Sequence, residues 1–434
     1  MIKPVFNHRN LPLPLRVPIA ASPMFWSRRS VLALVGFGFT QLWGCRRSTS
    51  QNPSQPTLTP PDTLRIGILA PLQGTWAATD GLPTTQAAQL MVDAVNRDGG
   101  VEVYGVKRPV ELILADEGDR PDQALSAARK LMFQDQVIAI VGLPLSYTAI
   151  PVANFAETIP FPVISTTSTH PDTTAGKNYV FRAGFIDDVQ GQVLAQFAQE
   201  TLKAKRIAVL YDIANVYSQG LADTFMAAIR DHTPINDAEL LNSLGDKIVA
   251  EETYTTDQQT DFRPALRRIQ ELEPDLLFLP NYQEEIQRQT TQARELGLTA
   301  TFLGADAWDS PVHDLLALEG SYYATHWYAD PNNPQISRFI EAYQSAYHTA
   351  PNIAAALTHD ALGLILEAIR REGRTDAKAI QSGLQSIRDF PGLSGTLRFR
   401  GTGDPVKSIV IVQIQDGKPM MAQTITPGFA LLPQ

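Results

Sequence analysis

Five hydroxyl side chains stand in a row at Ser165, Thr166, Thr167, Ser168 and Thr169, where the apolar run that starts at Pro162 ends. Such a row is an ordinary polar loop or the wall of a cleft, where O–H and N–H groups meet a ligand. Ser146 follows the apolar run 137–142 and stands where a helix opens. Its hydroxyl can donate to a carboxylate with help from the helix dipole, or it can cap the helix. Asp306, in Gly304-Ala305-Asp306-Ala307-Trp308, follows the apolar run 301–304. An acid there supplies the charge partner that a desolvated ammonium needs, or caps a helix turn. Tyr217 and Tyr282 follow the runs 206–211 and 275–279. Each offers a flat apolar ring with a hydrogen-bonding hydroxyl, or packs beneath its own loop.

Bond-breaking chemistry has weaker support. The seven histidines are scattered and form no HExxH pair, and there is no P-loop and no G-x-S-x-G elbow. Gly36-Phe37-Gly38 lies in the N-terminal apolar run and is no dinucleotide loop. No cofactor and no metal is expected. Carboxylates are plentiful, so an exported hydrolase remains as the minor alternative.

The single cysteine, Cys45, ends an uncharged apolar run at 31–43 that begins after Arg28 and Arg29. The run is too short to span a bilayer, so residues 1–44 read as an export signal that is removed. The paired arginines resemble a twin-arginine signal, and Leu42-Trp43-Gly44-Cys45 resembles a lipoprotein box in which Cys45 receives lipid. Pro4, Pro12, Pro14, Pro18 and Pro23 are odd in a signal and fit a start at Met24 instead of Met1. Residues 45–62, rich in Ser, Thr, Gln and Pro, cannot bury enough surface to fold and form a flexible tether. The expected location is therefore periplasmic or extracytoplasmic, anchored to the membrane by lipid.

The chain carries a net charge of −9, and the signal removes five basic residues and no acid. This acidic balance excludes nucleic acid and an anionic membrane surface as partners. Without a cysteine pair, stability must come from large apolar cores.

Short apolar runs at 64–70, 110–115 and 137–142 alternate with helical stretches at 85–97 and 121–134. After a break at 182–189 the same alternation restarts, with strands at 206–211, 249–254, 275–279 and 301–304 between helices at 189–202, 219–229, 261–272 and 284–296. Continuous apolar strands separated by helices predict parallel sheets covered on both faces. Two such runs predict two doubly wound lobes. Two long helices follow at 335–347 and 352–371, then a β-rich end at 395–400 and 408–415, so the chain must cross between lobes more than once. The stretch 231–247 reads as a surface excursion, and His359 as core packing.

Several segments, in order, resemble the type I periplasmic solute-binding proteins, specifically the leucine/isoleucine/valine-binding family of ABC importers. They are Leu64-Arg65-Ile66-Gly67-Ile68-Leu69-Ala70-Pro71, Val95-Asn96-Arg97-Asp98-Gly99-Gly100-Val101, Ala115-Asp116, Ala139-Ile140-Val141-Gly142, Asp261-Phe262, Pro274-Asp275, Phe390-Pro391-Gly392-Leu393-Ser394-Gly395 and Asp416-Gly417. No piece is specific alone, but the ordered set covers 64–418. The resemblance implies an α/β fold with two doubly wound parallel-sheet lobes joined by a three-crossover hinge. The expected division is 63–184 with 330–394 for lobe 1, and 185–329 with 395–434 for lobe 2. It implies a monomer that closes over an amino acid and presents it to a membrane permease. Ser146 falls on the family's carboxylate-binding serine, Asp306 on its ammonium-binding acid, and Thr167 and Thr169 on contacts to both ends of the solute. Tyr217 and Tyr282 fall over the cleft. The family places an aromatic near Thr79, whereas this chain has its large ring at Trp76, so the side-chain pocket has changed. A neutral amino acid, branched-chain ones included, is the expected solute. A ligand-sensing module and a binder of amides or urea are the alternatives.

Overall fold

The strand β1 (Leu64–Ala70) is buried at every position but one, as a strand covered by helices on both faces must be. In the computed structural model, which describes residues 62–231, 247–255, 260–309 and 315–427, this pattern recurs in two sheets. The expected signal 1–44, the lipidation site Cys45, the tether up to Pro61 and nearly all of 231–247 lie outside the described residues. Every described residue belongs to one unit, Thr59–Gln434.

A hairpin, β2 (Val101–Val103) and β3 (Val106–Arg108), precedes β4 (Val110–Asp116). With β5 (Ala139–Gly142), β6 (Val163–Ser165) and β7 (Val180–Arg182), the first sheet runs β4-β1-β5-β6-β7, all parallel. The second is built from β8 (Ile207–Asp212), β9 (Ile248–Tyr254), β10 (Leu276–Leu279), β11 (Thr301–Gly304) and β12 (Tyr322–Thr325), in the order β12-β11-β10-β8-β9. Its far edge adds β16 (Ile409–Gln415) and β17 (Lys418–Ile425), both antiparallel to their neighbours. Between β12 and β16 in sequence, β13 (Phe390–Gly392), β14 (Gly395–Phe399) and β15 (Pro405–Val406) form a small sheet of their own.

Both large sheets thus share one winding. The strand order reverses between β1 and β5 in the first sheet, and between β8 and β10 in the second. In open α/β sheets, ligands bind outside the carboxyl ends of the strands at such switch points.

The helices are α1 (Leu82–Arg97), α2 (Pro121–Phe133), α3 (Ser146–Thr158), α4 (Asp187–Gln196), α5 (Val216–Asp231), α6 (Arg263–Glu271), α7 (Gln283–Glu295), α8 (Pro334–Tyr347), α9 (Ile353–Glu372) and α10 (Ala377–Ser386). The chain leaves the first sheet after β7, returns after β12 and leaves again after β15, giving three crossovers. Helix α9 is buried along most of its length and packs into the first core beside β1 and β5. Asn352 caps it by accepting the Ala355 amide at 3.1 Å.

One boundary moves. Residues 395–400 were expected with the second lobe, but Leu397 and Phe399 of β14 are buried in the first core, and Phe399 stacks edge-on to Phe181. The second sheet resumes at Ile409. Among the elements that left no clear mark in the sequence are the β2–β3 hairpin, only three residues a side, the short strands β7, β13 and β15, and α10.

Candidate functional site

Four loops leave the two switch points, and each carries one of the expected residues. Trp76 follows β1, Ser146 follows β5, Tyr217 follows β8 and Tyr282 follows β10. Thr167 and Asp306 follow the neighbouring strands β6 and β11. All six line one cavity, together with Asp80, Pro144, Leu145, Ala307 and Ile353.

The first wall is built around β5. Gly142 has φ 133, and a Cβ there would lie 2.0 Å from the Leu69 carbonyl, so only glycine fits. Leu143 follows with φ 54, a conformation that costs a branched side chain energy and is held by its surroundings. The hydroxyl row does the holding: Ser165 donates to the Leu143 carbonyl at 2.9 Å, Thr166 to Gly142 at 3.3 Å and Thr167 to Pro144 at 3.1 Å. The buried Arg182 guanidinium fixes the row from behind, donating to the carbonyls of Ser168 and His170 at 2.8 and 2.9 Å and pairing with Asp404 at 2.6 Å.

Helix α3 begins at Ser146 itself, and Leu145 occupies the cap position without a side-chain cap bond. The Ser146 hydroxyl is therefore not a cap; it accepts from the Ser168 hydroxyl at 3.1 Å. Among the described residues the amides of Ser146 and Tyr147 meet no acceptor, which leaves N–H groups at the positive end of a helix beside the cavity.

Thr169 and Thr79 do not line the cavity. Thr169 is fully buried, and its carbonyl accepts the Asp187 amide at 3.0 Å. Its hydroxyl lacks a hydrogen-bond partner of good geometry. Thr79 turns its hydroxyl to Asp80 at 2.7 Å, and its carbonyl accepts from Asn352 at 2.6 Å.

The second wall centres on Asp306. One carboxylate oxygen accepts from the Tyr217 hydroxyl at 2.9 Å and from the Gln190 amide at 2.8 Å. Gln190 returns the contact by accepting the Asp306 backbone N–H at 2.9 Å. The other oxygen lies 3.3 Å from His326 Nε2. His326 Nδ1 accepts from the Phe185 amide at 3.3 Å, so the proton of the neutral ring sits on Nε2, the nitrogen on the side of the acid. The imidazole is stacked on Phe185 at 3.6 Å between centroids. Burial pushes its pKa down to about 4, so it is neutral at ordinary pH. His326 follows β12 at the second crossover and Phe185 stands in the first, so the site acid is tied to two hinge segments.

Burial and the charge of Asp306 push the fully buried Asp187 carboxyl up to about 8. The Tyr217 hydroxyl is pushed well above its ordinary value, by burial and then by Asp306, and remains a donor. Tyr217 stacks on Tyr282 at 4.9 Å, and Tyr282 meets Trp76 of the first wall at 5.1 Å, so aromatic rings from both lobes roof the cavity.

Sequence reasoning missed Gln190, His326 and Asp80. Gln190 reaches Asp306 across 116 residues and carries no local signal. Asp80 adjoins the one threonine singled out there. His359, read as core packing, is only partly buried: its ring lies 5.2 Å from the Phe339 ring and its Nδ1 3.5 Å from the Asp360 carboxylate. Among the described residues no group of acids, histidines and cysteines could hold a metal, and no helix is long and apolar enough to cross a membrane.

The sequence profile of the periplasmic binding protein family matches residues 63–419. The Leu/Ile/Val-binding protein BraC3 of Rhizobium johnstonii is 30% identical over 79% of this chain and 88% of its own length. The branched-chain amino acid transporter substrate-binding protein LivJ of Streptococcus pneumoniae, solved with isoleucine, superposes with a TM-score of 0.73 at 26% identity, covering 84% of this chain and all of that one. The leucine-binding protein LivK of Thermotoga maritima gives a TM-score of 0.71 at 27% identity over 84% of this chain and 99% of that one.

Proposed function

We propose that this chain, which belongs to the periplasmic binding protein family, is the extracytoplasmic substrate-binding lipoprotein of an ABC importer for a neutral amino acid, branched-chain ones included. The chain is a solute-binding protein of the amino-acid-binding group and not an enzyme. The observation that carries the finer reading is the shared cavity of Ser146 and Asp306. The solute's ammonium pairs with Asp306, already oriented by Tyr217 and Gln190. Its carboxylate takes the Ser146 hydroxyl and the amides at the start of α3. Each end of the zwitterion is held by a different lobe, so the solute favours closure by its differential affinity for the closed state. Trp76, Tyr217 and Tyr282 cover its apolar surface. The closed form is what the permease receives, and lipid on Cys45 keeps the monomer beside it. The relatives named as Leu/Ile/Val-binding support this choice of solute.

Thermal melting of protein freed of bound solute, against a panel of the twenty amino acids, tests the reading. At a hundredfold excess over Kd the right solute adds about 2.7 kcal/mol of stability, a clear rise in Tm. A panel in which no amino acid shifts Tm overturns it.

A further inference from the structure

Two carboxylates line the cavity, and no lysine or arginine does. Asp306 is surrounded by donors. Asp80 has one: the Thr79 hydroxyl donates to its Oδ2, and its Oδ1 meets no protein donor among the described residues.

Asp80 is held in place. It sits in the π-helical turn Ala77–Gly81, with its amide donating to the Trp76 carbonyl at 2.9 Å. Gly81 packs so closely that a Cβ there would lie 1.8 Å from the Pro71 carbonyl. Asn352, the cap of α9, clamps the Thr79 carbonyl. A turn fixed on three sides presents its acid in a defined position. The rest of the lining beyond Ser146, Thr167 and Asp306 is apolar or aromatic: Pro144, Leu145, Trp76, Ala307, Ile353 and the two tyrosine rings.

With the ammonium at Asp306 and the carboxylate at Ser146, Asp80 remains to meet the solute's side chain. A purely aliphatic side chain would strip water from the open oxygen and return nothing, which penalises binding. A hydroxyl or an amide N–H replaces the lost water. A guanidinium gains a charge pair with the acid but brings five donors, more than the open oxygen can accept, and leaves the surplus N–H groups without partners in an otherwise largely apolar lining. Burial moves Asp80 up to about 6, and the neighbouring Asp119 adds to this.

We propose that Asp80 sets the side-chain preference of the cleft, favouring neutral amino acids whose side chain carries a hydroxyl or amide donor over aliphatic ones. This rests on the amino-acid reading above and narrows it.

Calorimetry on solute-freed full-length protein with threonine, glutamine, leucine, valine and arginine tests the proposal, on wild type and on Asp80→Leu and Asp80→Asn. Threonine or glutamine binds wild type at least tenfold more tightly than leucine and valine. Asp80→Leu narrows or inverts that ratio, and Asp80→Asn, nearly isosteric, lowers it. Should Asp80→Leu not fold, Asp80→Asn decides alone. Leucine, valine or arginine binding wild type most tightly, or an unchanged ratio in the variants, overturns the role of Asp80 while leaving amino-acid binding intact. Binding of none of the five removes the proposal, and the twenty-member panel then shows whether the broader reading falls with it.

Discussion

The two walls of the cleft share a winding order and differ in what they offer. The first wall spends its hydroxyls inward, on the carbonyls of Gly142, Leu143 and Pro144, and leaves backbone N–H groups at the start of α3 facing the cavity. The second wall spends its side chains on one acid, Asp306, gathered from a 3₁₀ turn, from α4, from α5 and from the second crossover. Backbone donors survive most substitutions nearby, whereas a single carboxylate does not. On the proposed reading, the anionic end of the solute is held redundantly and the cationic end by one irreplaceable group.

The largest effect expected from this asymmetry belongs to Asp306→Ala. Truncating a buried, hydrogen-bonded charge partner costs about 2–5 kcal/mol, so the Kd of the tightest amino acid should rise by at least about thirtyfold with folding retained. A calorimetric Kd within threefold of wild type would falsify the ammonium role. Tyr217→Phe removes one donor to the same acid and should weaken binding about tenfold. Ser146→Ala should lose about fivefold, because the amides of α3 remain. If it loses as much as Asp306→Ala, the redundancy of the first wall is wrong.

His326 gives the comparison a pH axis. Its folded pKa, about 4, is below its ordinary 6.5, so between these values the unfolded chain holds a proton that the native protein lacks. Stability therefore rises as pH goes from 4 to 6.5 and gains nothing more from this group above that. The total is at most about 3 kcal/mol. Asp306, Arg182 and Lys407 act on this ring, and Asp187 contributes with the opposite sign up to about 8. The difference between wild type and His326→Gln isolates the histidine, and urea melts at pH 5 and pH 7 should show a shallower acid decline in the variant. Equal declines would place the titration elsewhere. The smallest effect is that of Thr169→Val, which swaps a poorly bonded hydroxyl for a methyl of similar shape. Affinity should change less than twofold; a larger loss would return Thr169 to the cavity wall.

The sequence was most informative where a local rule applied. Near-continuous apolar runs marked β1, β8 and β10, because a strand buried on both faces admits little else. That Ser146, Thr167, Tyr217, Tyr282, Trp76 and Asp306 share one cavity followed from their each standing a few residues after a strand, at the edge where an α/β sheet opens its cleft. Thr169 and Thr79, expected at the solute, do not line the cavity, because such reasoning locates a loop but not the direction of its side chains. In both cases a neighbour one or two positions away lines the cavity instead.

What the sequence alone determined is the winding of two parallel sheets and the loops that must edge a cleft, since both follow from periodicity and chain order. Only the tertiary structure decided which side chains support Asp306, that β14 packs in the first core, and that Asp80 is the second acid of the cavity. Those facts depend on contacts between residues far apart in the chain, such as Gln190 with Asp306 and Asn352 with Thr79. No local pattern encodes a contact that exists only once two lobes have folded and met.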